Sequence, residues 1–242
     1  MKMTRPPEVV LEIARLDGDV LRIRHAVEMA QVFFRLDPSA HGPKAYDTLI
    51  RSSKPDRIET SDISAINATM AARTPLYRWQ DLIALDRPGW LTEVHPSWSL
   101  FELTDGDWAS LHVEARIVDA LAAMIAPGRR LSVVTKVLHM KRPALVPVCD
   151  RLVLDQLGAP ANVDHDPVAA AEFIGHVRRE GRRNIDGLRA VQERLAAEGR
   201  AASLVRIFEA LVWQSHPEVW YQKLAALVDE WSDDETVKRT GQ

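Results

Sequence analysis

Residues 126–158 read APGRRLSVVTKVLHMKRPALVPVCDRLVLDQLG. Pro127-Gly128 is a turn signal, because proline fixes φ and glycine reaches positive φ without a steric cost. From Leu131 to Lys141 apolar residues recur at three- and four-residue spacing, which predicts a helix over 131–141. Pro143 and Pro147 break the chain beyond it, and a second helix is expected over 148–157, ended by Gly158. A stretch that alternates Pro and Gly breaks with 3.6-residue periodicity belongs to a helical protein. Strict apolar–polar alternation, the mark of a half-buried strand, is rare along the whole chain.

The same spacing recurs elsewhere, for example at Val20, Ile23, Val27, Ala30 and Phe34. It predicts further helices over 19–36, 61–72, 75–86, 107–126, 167–180, 185–198, 203–214 and 217–231. Asp107 opens one of them, Asp166-Pro167 places proline in a first turn, and His216-Pro217-Glu218 adds an acidic first turn. Val9-Val10-Leu11 is strand-like in composition, but no partner strand is evident, so helix is preferred there too. Breaks fall at 36–44, 86–97, 126–130 and 158–166. No internal repeat is present, which disfavours a solenoid. The expectation is an all-α, compact multi-helix domain over 1–231, divisible into two lobes, with a disordered acidic and polar tail over 232–242.

Composition sets the outer limits. The chain has 242 residues, 46% hydrophobic and 27% charged, which is ordinary globular usage. A net charge of -3 gives no chain-wide attraction to nucleic acid, so any such attraction has to be local. The single cysteine, Cys149, excludes an intramolecular disulfide and a multi-cysteine zinc site. His112-Val113-Glu114 imitates the HxE of zinc deaminases without the two partner cysteines, and no two histidines stand three or four residues apart. Phosphate-loop, dinucleotide, HExxH and GxSxG signatures are absent. Neither metal nor cofactor is expected. The first twenty residues lack a continuous apolar core and no apolar run is long enough to span a bilayer, so a cytoplasmic protein without a membrane partner is expected. Trp79, Trp90, Trp98, Trp108, Tyr77 and Phe101 cluster between two predicted loops, where core filling is preferred over base stacking.

Charge is uneven. Between 125 and 151, six cations (Arg129, Arg130, Lys136, Lys141, Arg142 and Arg151) face one acid, Asp150. Such a run suits an anionic partner such as a phosphate backbone. A second run, from Arg178 to Arg194, has six arginines against three acids and reads as a solvated face.

Residues 126–158 also resemble the hairpin and following helix of the helix-hairpin-helix DNA glycosylase superfamily. The likeness rests on Pro127-Gly128 and on Pro147-Val148-Cys149-Asp150-Arg151 running through Leu157-Gly158. It implies a degenerate helix-hairpin-helix glycosylase-like core with DNA as partner. Ser132, Thr135 and the six cations would contact the nucleic acid, and Asp150 would act as the acid that stabilises charge on the sugar or activates water. Bifunctional members carry a lysine nucleophile about 18 residues before the acid, where Ser132 stands here, so the implied chemistry is monofunctional. The second glycine of the family's hairpin is absent, and two registers fit the hairpin. Asp150 also reads as a plain helix N-cap.

A second resemblance spans most of the chain. Residues 62–75 (DISAINATMAARTP), Lys141-Arg142-Pro143 and residues 204–213 (LVRIFEALVW) resemble a family of uncharacterised bacterial proteins. Within it, Asn67 and Arg73 are polar groups in apolar surroundings, either buried and hydrogen-bonded or lining a site, with burial preferred. The function expected is nucleic-acid binding, with N-glycosylase chemistry on a flipped base as its enzymatic form. The alternative is a non-enzymatic helical module for protein interaction or regulation, whose basic face meets an acidic partner.

Overall fold

A computed structural model describes residues 8–35 and 43–219. The chain opens with an antiparallel hairpin of β1 (Leu11–Ala14) and β2 (Val20–Ile23), in which Leu11 pairs with Ile23 and Ala14 with Val20. Twelve α-helices come after it among the described residues: α1 (Ala26–Arg35), α2 (Pro43–Ile50), α3 (Thr60–Thr69), α4 (Gln80–Ile83), α5 (Gly89–Thr92), α6 (Asp105–Ser110), α7 (Val113–Met124), α8 (Leu131–Lys141), α9 (Arg151–Gln156), α10 (Pro167–Arg183), α11 (Ile185–Ala197) and α12 (Leu204–Ser215). Single 3₁₀ turns cover Leu76–Trp79 and Ala161–Asp164. The expected tail over 232–242, and most of the expected helix over 217–231, lie outside the described residues.

The described residues are mostly helical, as expected, and the hairpin is the departure: a strand begins at Leu11, where helix was preferred. Asp17-Gly18 lies between two short apolar runs, and Gly18 takes φ +97, which a two-stranded turn needs. Leu11 and Ile13 point into the core while Glu12 faces away, a strand pattern too short to register against the helical spacing nearby. The free edge of β1 is covered from the C-terminal end of α10: Glu180 accepts from the Ala14 amide at 2.8 Å, and Asn184 exchanges bonds with Glu12 at 3.0 and 2.8 Å. The expected helix over 107–126 is two helices, because His112 takes φ +51 between α6 and α7. That over 75–86 shrinks to a 3₁₀ turn and α4, α5 forms inside the break expected over 86–97, and α2 forms where no helix was expected.

The buried apolar side chains form one cluster. Two helices sit at its centre: nine of eleven residues are buried in α8 and ten of twelve in α12. A helix buried on all faces is stabilised by apolar contact, about 1.5–3 kcal/mol per fully buried Val or Leu, and has to pair nearly all of the polar groups it carries. The flanking helices α3, α1 and α9 pack against this pair. Of the aromatic cluster, Trp79 and Phe101 are core and three further tryptophans pack on it, while Tyr77 is 66% exposed.

Four of the six cations read as a phosphate-facing run point inward instead. Lys141 donates to Asp62 at 2.6 Å, to Ser53 Oγ at 2.7 Å and to the Lys54 carbonyl at 2.9 Å. Arg142 binds the carbonyls of Val94, Pro55, Leu91 and Lys141, stitching the loops before α3 and after α5 to α8, and burial lowers its pKa to about 10. Arg129 forks onto Asp81 at 2.6 and 3.1 Å. Lys136 is buried as well. The pattern missed this because residue spacing reveals charge and helical face, whereas α8 has no solvent face to offer.

Candidate functional site

Where α8 and α12 meet the start of α9, a cavity of about 300 Å³ remains. Each wall has a local cause. Asp150 is the N-cap of α9: its Oδ1 accepts from the Val153 amide at 3.1 Å, and its φ and ψ are extended as a cap requires. It reaches that place because Pro147 ends the preceding turn and Thr135 Oγ1 accepts from the Cys149 amide at 3.0 Å. Thr135 therefore acts inside the protein rather than on a partner. Lys136, one residue further along α8, lines the same cavity and donates to the Met70 carbonyl at 2.9 Å. Phe33 from α1 and Trp213 from α12 supply aromatic walls, edge to face at 6.0 Å between ring centres.

Arg206 and Glu209 of α12 complete the lining. Glu209 accepts from the Val148 amide and from Arg206 Nη1, and Arg206 Nε donates to Asp47 at 3.0 Å. The Arg206 guanidinium lies over the rings of Phe33 and Tyr46, at 5.2 and 5.4 Å. Tyr46 stacks on His139 and its hydroxyl donates to the Lys136 carbonyl at 2.7 Å. The sequence signal for this pair was a salt-bridge spacing, Arg206 and Glu209 three apart, inside the otherwise apolar run LVRIFEALVW.

Electrostatics arise from burial. Desolvation raises the Asp150 carboxyl above its ordinary value, against the pull of the Val153 amide and Lys136. Burial lowers the Lys136 ammonium, against Asp150 and Glu209. The two groups thus move toward one another in proton affinity. Burial pushes Glu209 up to about 7 despite Arg206, and lowers His139 to about 4. At Arg206 burial opposes the charge but Glu209 and Asp47 outweigh it, so the guanidinium stays charged.

Of the residues singled out from sequence, the structure brings together Asp150 and Lys136. Arg130 is exposed, 4.0 Å from Asp164. Arg151 is exposed and paired with Glu218 at 2.7 Å and Asp155 at 3.4 Å. Ser132 lies half-buried in the first turn of α8. Asn67 and Arg73, expected to be buried, are exposed; Asn67 clasps the Thr74 backbone at 2.7 and 2.8 Å and so holds the loop that leaves α3. In that loop Ala71, a cavity residue, takes φ +48 and Arg73 φ +50. In the second basic run Arg178 is buried against Trp108 at 4.6 Å, while Arg182, Arg183 and Arg189 have acidic neighbours. Among the described residues no cluster of His, Cys, Asp and Glu could hold a metal ion, and no helix is long and apolar enough to cross a membrane.

A family model described as a family of unknown function, DUF6308, matches residues 26–216. The chain belongs to the DUF6308 family. No curated protein and no solved structure matches it. In this DUF6308 protein the matched span holds every cavity residue from Phe33 to Trp213 and leaves out the β-hairpin. It also takes in the three stretches that resemble an uncharacterised family, whereas no match marks residues 126–158 as a glycosylase segment.

Proposed function

We propose that the cavity is the base pocket of a monofunctional N-glycosylase, which accepts one nucleobase swung out of a nucleic-acid strand. The observation that carries this is Asp150: the acid placed by the glycosylase likeness caps a helix at the lining of an aromatic-walled cavity, beside a buried lysine. A cavity of about 300 Å³ lies at the small end of the ligand-pocket range, the scale of one base rather than a larger cofactor. The connection from α7 to α8 also supports it, since a tight turn with Gly128 at φ +82 joins two helices there.

The chemistry is then simple. The bond between C1′ and the base nitrogen breaks, its electron pair leaving with the base. The ionised Asp150 carboxylate faces the positive charge that grows on the sugar. A water oxygen bonds to C1′ and gives its proton to Asp150, whose raised proton affinity suits a general base. Lys136, whose ammonium gives up a proton more readily when buried, protonates the departing base. No covalent intermediate is required.

The test is incubation with oligonucleotides carrying uracil, hypoxanthine or alkylated bases at one position. The expected product is free base and an abasic site, cut only on later treatment with hot alkali. Strands left without abasic sites across the whole set, in both single- and double-stranded form, contradict the proposal.

A further inference from the structure

Resting on that reading, we infer that Glu209 and Thr135 are positioning residues for Asp150: from the two central helices they hold the backbone amides of Val148 and Cys149, and so fix where the Asp150 carboxylate stands in the cavity. Residues 146–150 form neither helix nor strand, yet 146–149 are buried. A buried irregular segment has no water for its amides and no ladder to receive them, so its path is set by whatever accepts them. Here the partners are side chains. Glu209 of α12 takes the Val148 amide, Thr135 Oγ1 of α8 takes the Cys149 amide at 3.0 Å, and His139 Nδ1 donates to the Val146 carbonyl at 2.7 Å. Pro147 has no amide to place.

Each acceptor is itself held. Glu209 is 2% exposed within an apolar helix, and its other oxygen accepts from Arg206, whose Nε is tied to Asp47 at 3.0 Å. A carboxylate in such a place is costly unless both oxygens are used, and the Val148 amide uses the second. Thr135 is fully buried and gives its hydroxyl proton to the Leu131 carbonyl at 2.9 Å, which leaves its oxygen free to accept from Cys149. Because the two grips come from different helices, sliding the segment along either helix breaks the bond to the other. One residue further on, Asp150 Oδ1 accepts from the Val153 amide at 3.1 Å, so the acid is held by the clamp on one side and by its cap on the other. Glu209 and Val148 line the cavity together with Asp150, which puts the clamp at the wall where the acid works. A misplacement of about 1 Å at a reacting group is enough to cost about 100-fold in rate.

The experiment uses the full chain. Single-turnover base release and the dissociation constant are measured on whichever of the uracil, hypoxanthine or alkylated-base oligonucleotides the unaltered protein acts on, and hydrogen exchange at the Val153 amide is followed in the same proteins. Thr135→Val keeps the shape and loses the acceptor. It should slow release at least about tenfold with the dissociation constant unchanged, and should speed exchange at Val153 while amides within α10 stay protected. Thr135→Ser keeps the hydroxyl and should restore both. Glu209→Gln leaves one acceptor oxygen for two donors, Val148 and Arg206, and should behave like Thr135→Val. Parental release and parental exchange in folded Thr135→Val, or in folded Glu209→Gln, overturn the part given to that residue. Binding lost in step with release, and not restored by Thr135→Ser, overturns positioning in favour of a plain pocket wall. If the unaltered protein releases no base, the glycosylase reading falls by itself and exchange still decides the clamp: unchanged protection of Val153 overturns it, and faster exchange that serine restores upholds it. The two Thr135 variants decide the claim even where Glu209→Gln does not fold.

Discussion

Asp150 is both a helix cap and the proposed catalytic acid, and two substitutions separate the roles. Asparagine caps a helix about as well as aspartate, so Asp150→Asn should melt like the unaltered protein. Asp150→Ala should lose about 1 kcal/mol, read as a lower midpoint in urea. Lys141 offers a different separation. In the interior its ammonium balances Asp62, so Lys141→Glu places two carboxylates together in the core and should cost on the order of 3–5 kcal/mol, seen as loss of a cooperative melt. An intact melt with only weaker anion binding would show instead that Lys141 works at the surface. Glu209 and His139 make stability depend on pH in opposite senses. Glu209 rises from 4.5 to about 7 on folding, so its contribution is full below 4.5 and is lost as pH rises through 7. His139 falls from 6.5 to about 4, so its contribution is full above 6.5 and is lost as pH falls through 4. Removing the first should unmask the second: in Glu209→Gln the melting temperature should climb more steeply between pH 4 and 6.5 than in the parent. An unchanged slope would mean that Glu209 does not take up a proton on folding.

Elements differ in how much of them a sequence discloses. α8 was legible from end to end, because its apolar spacing and the flanking Pro-Gly turn act locally. Its surroundings were not. Lys136, Lys141 and Arg142 have the composition of a solvated face, and only the packing of α3, the loop after α5 and α12 around them turns that face into interior. The hairpin was missed for the opposite reason, since Asp17-Gly18 is a turn signal outweighed by helical spacing that continues through Val20 and Ile23 into α1. Capping and the glycosylase likeness both single out Asp150 in the sequence, whereas Arg206 and Glu209 stand in an apolar helical run that singles out neither. The long helix α10 depends on contact rather than propensity at Gly181, where a Cβ would strike the ring of Phe101. Gly181→Ala should therefore destabilise the fold by about 1–3 kcal/mol despite alanine's better helix propensity, a sign that chemical denaturation reads directly.

At the scale of the molecule, a net charge of -3 is combined with a core that takes in six cations among the described residues, four of them from the basic run between 125 and 151. Of the basic run between 125 and 151 only Arg130 and Arg151 keep exposed side chains, and Arg151 is already paired. Nucleic-acid binding should then depend weakly on salt, with a slope of log K against log salt no steeper than about -2. A slope near -5 would require the buried cations to reach phosphates. Affinity in this proposal comes from the base held against the aromatic wall that Phe33 and Trp213 form together, with the backbone contributing little. Everything in it turns on the carboxylate of Asp150 breaking the bond between base and sugar inside this cavity. The decisive quantity is the single-turnover rate of base release for the unaltered protein and for a folded Asp150→Asn variant, on whichever oligonucleotide of the test set the unaltered protein acts on. Removing the charge should slow release by at least about 100-fold. Equal rates from the two proteins would take Asp150 out of the chemistry and the glycosylase proposal with it.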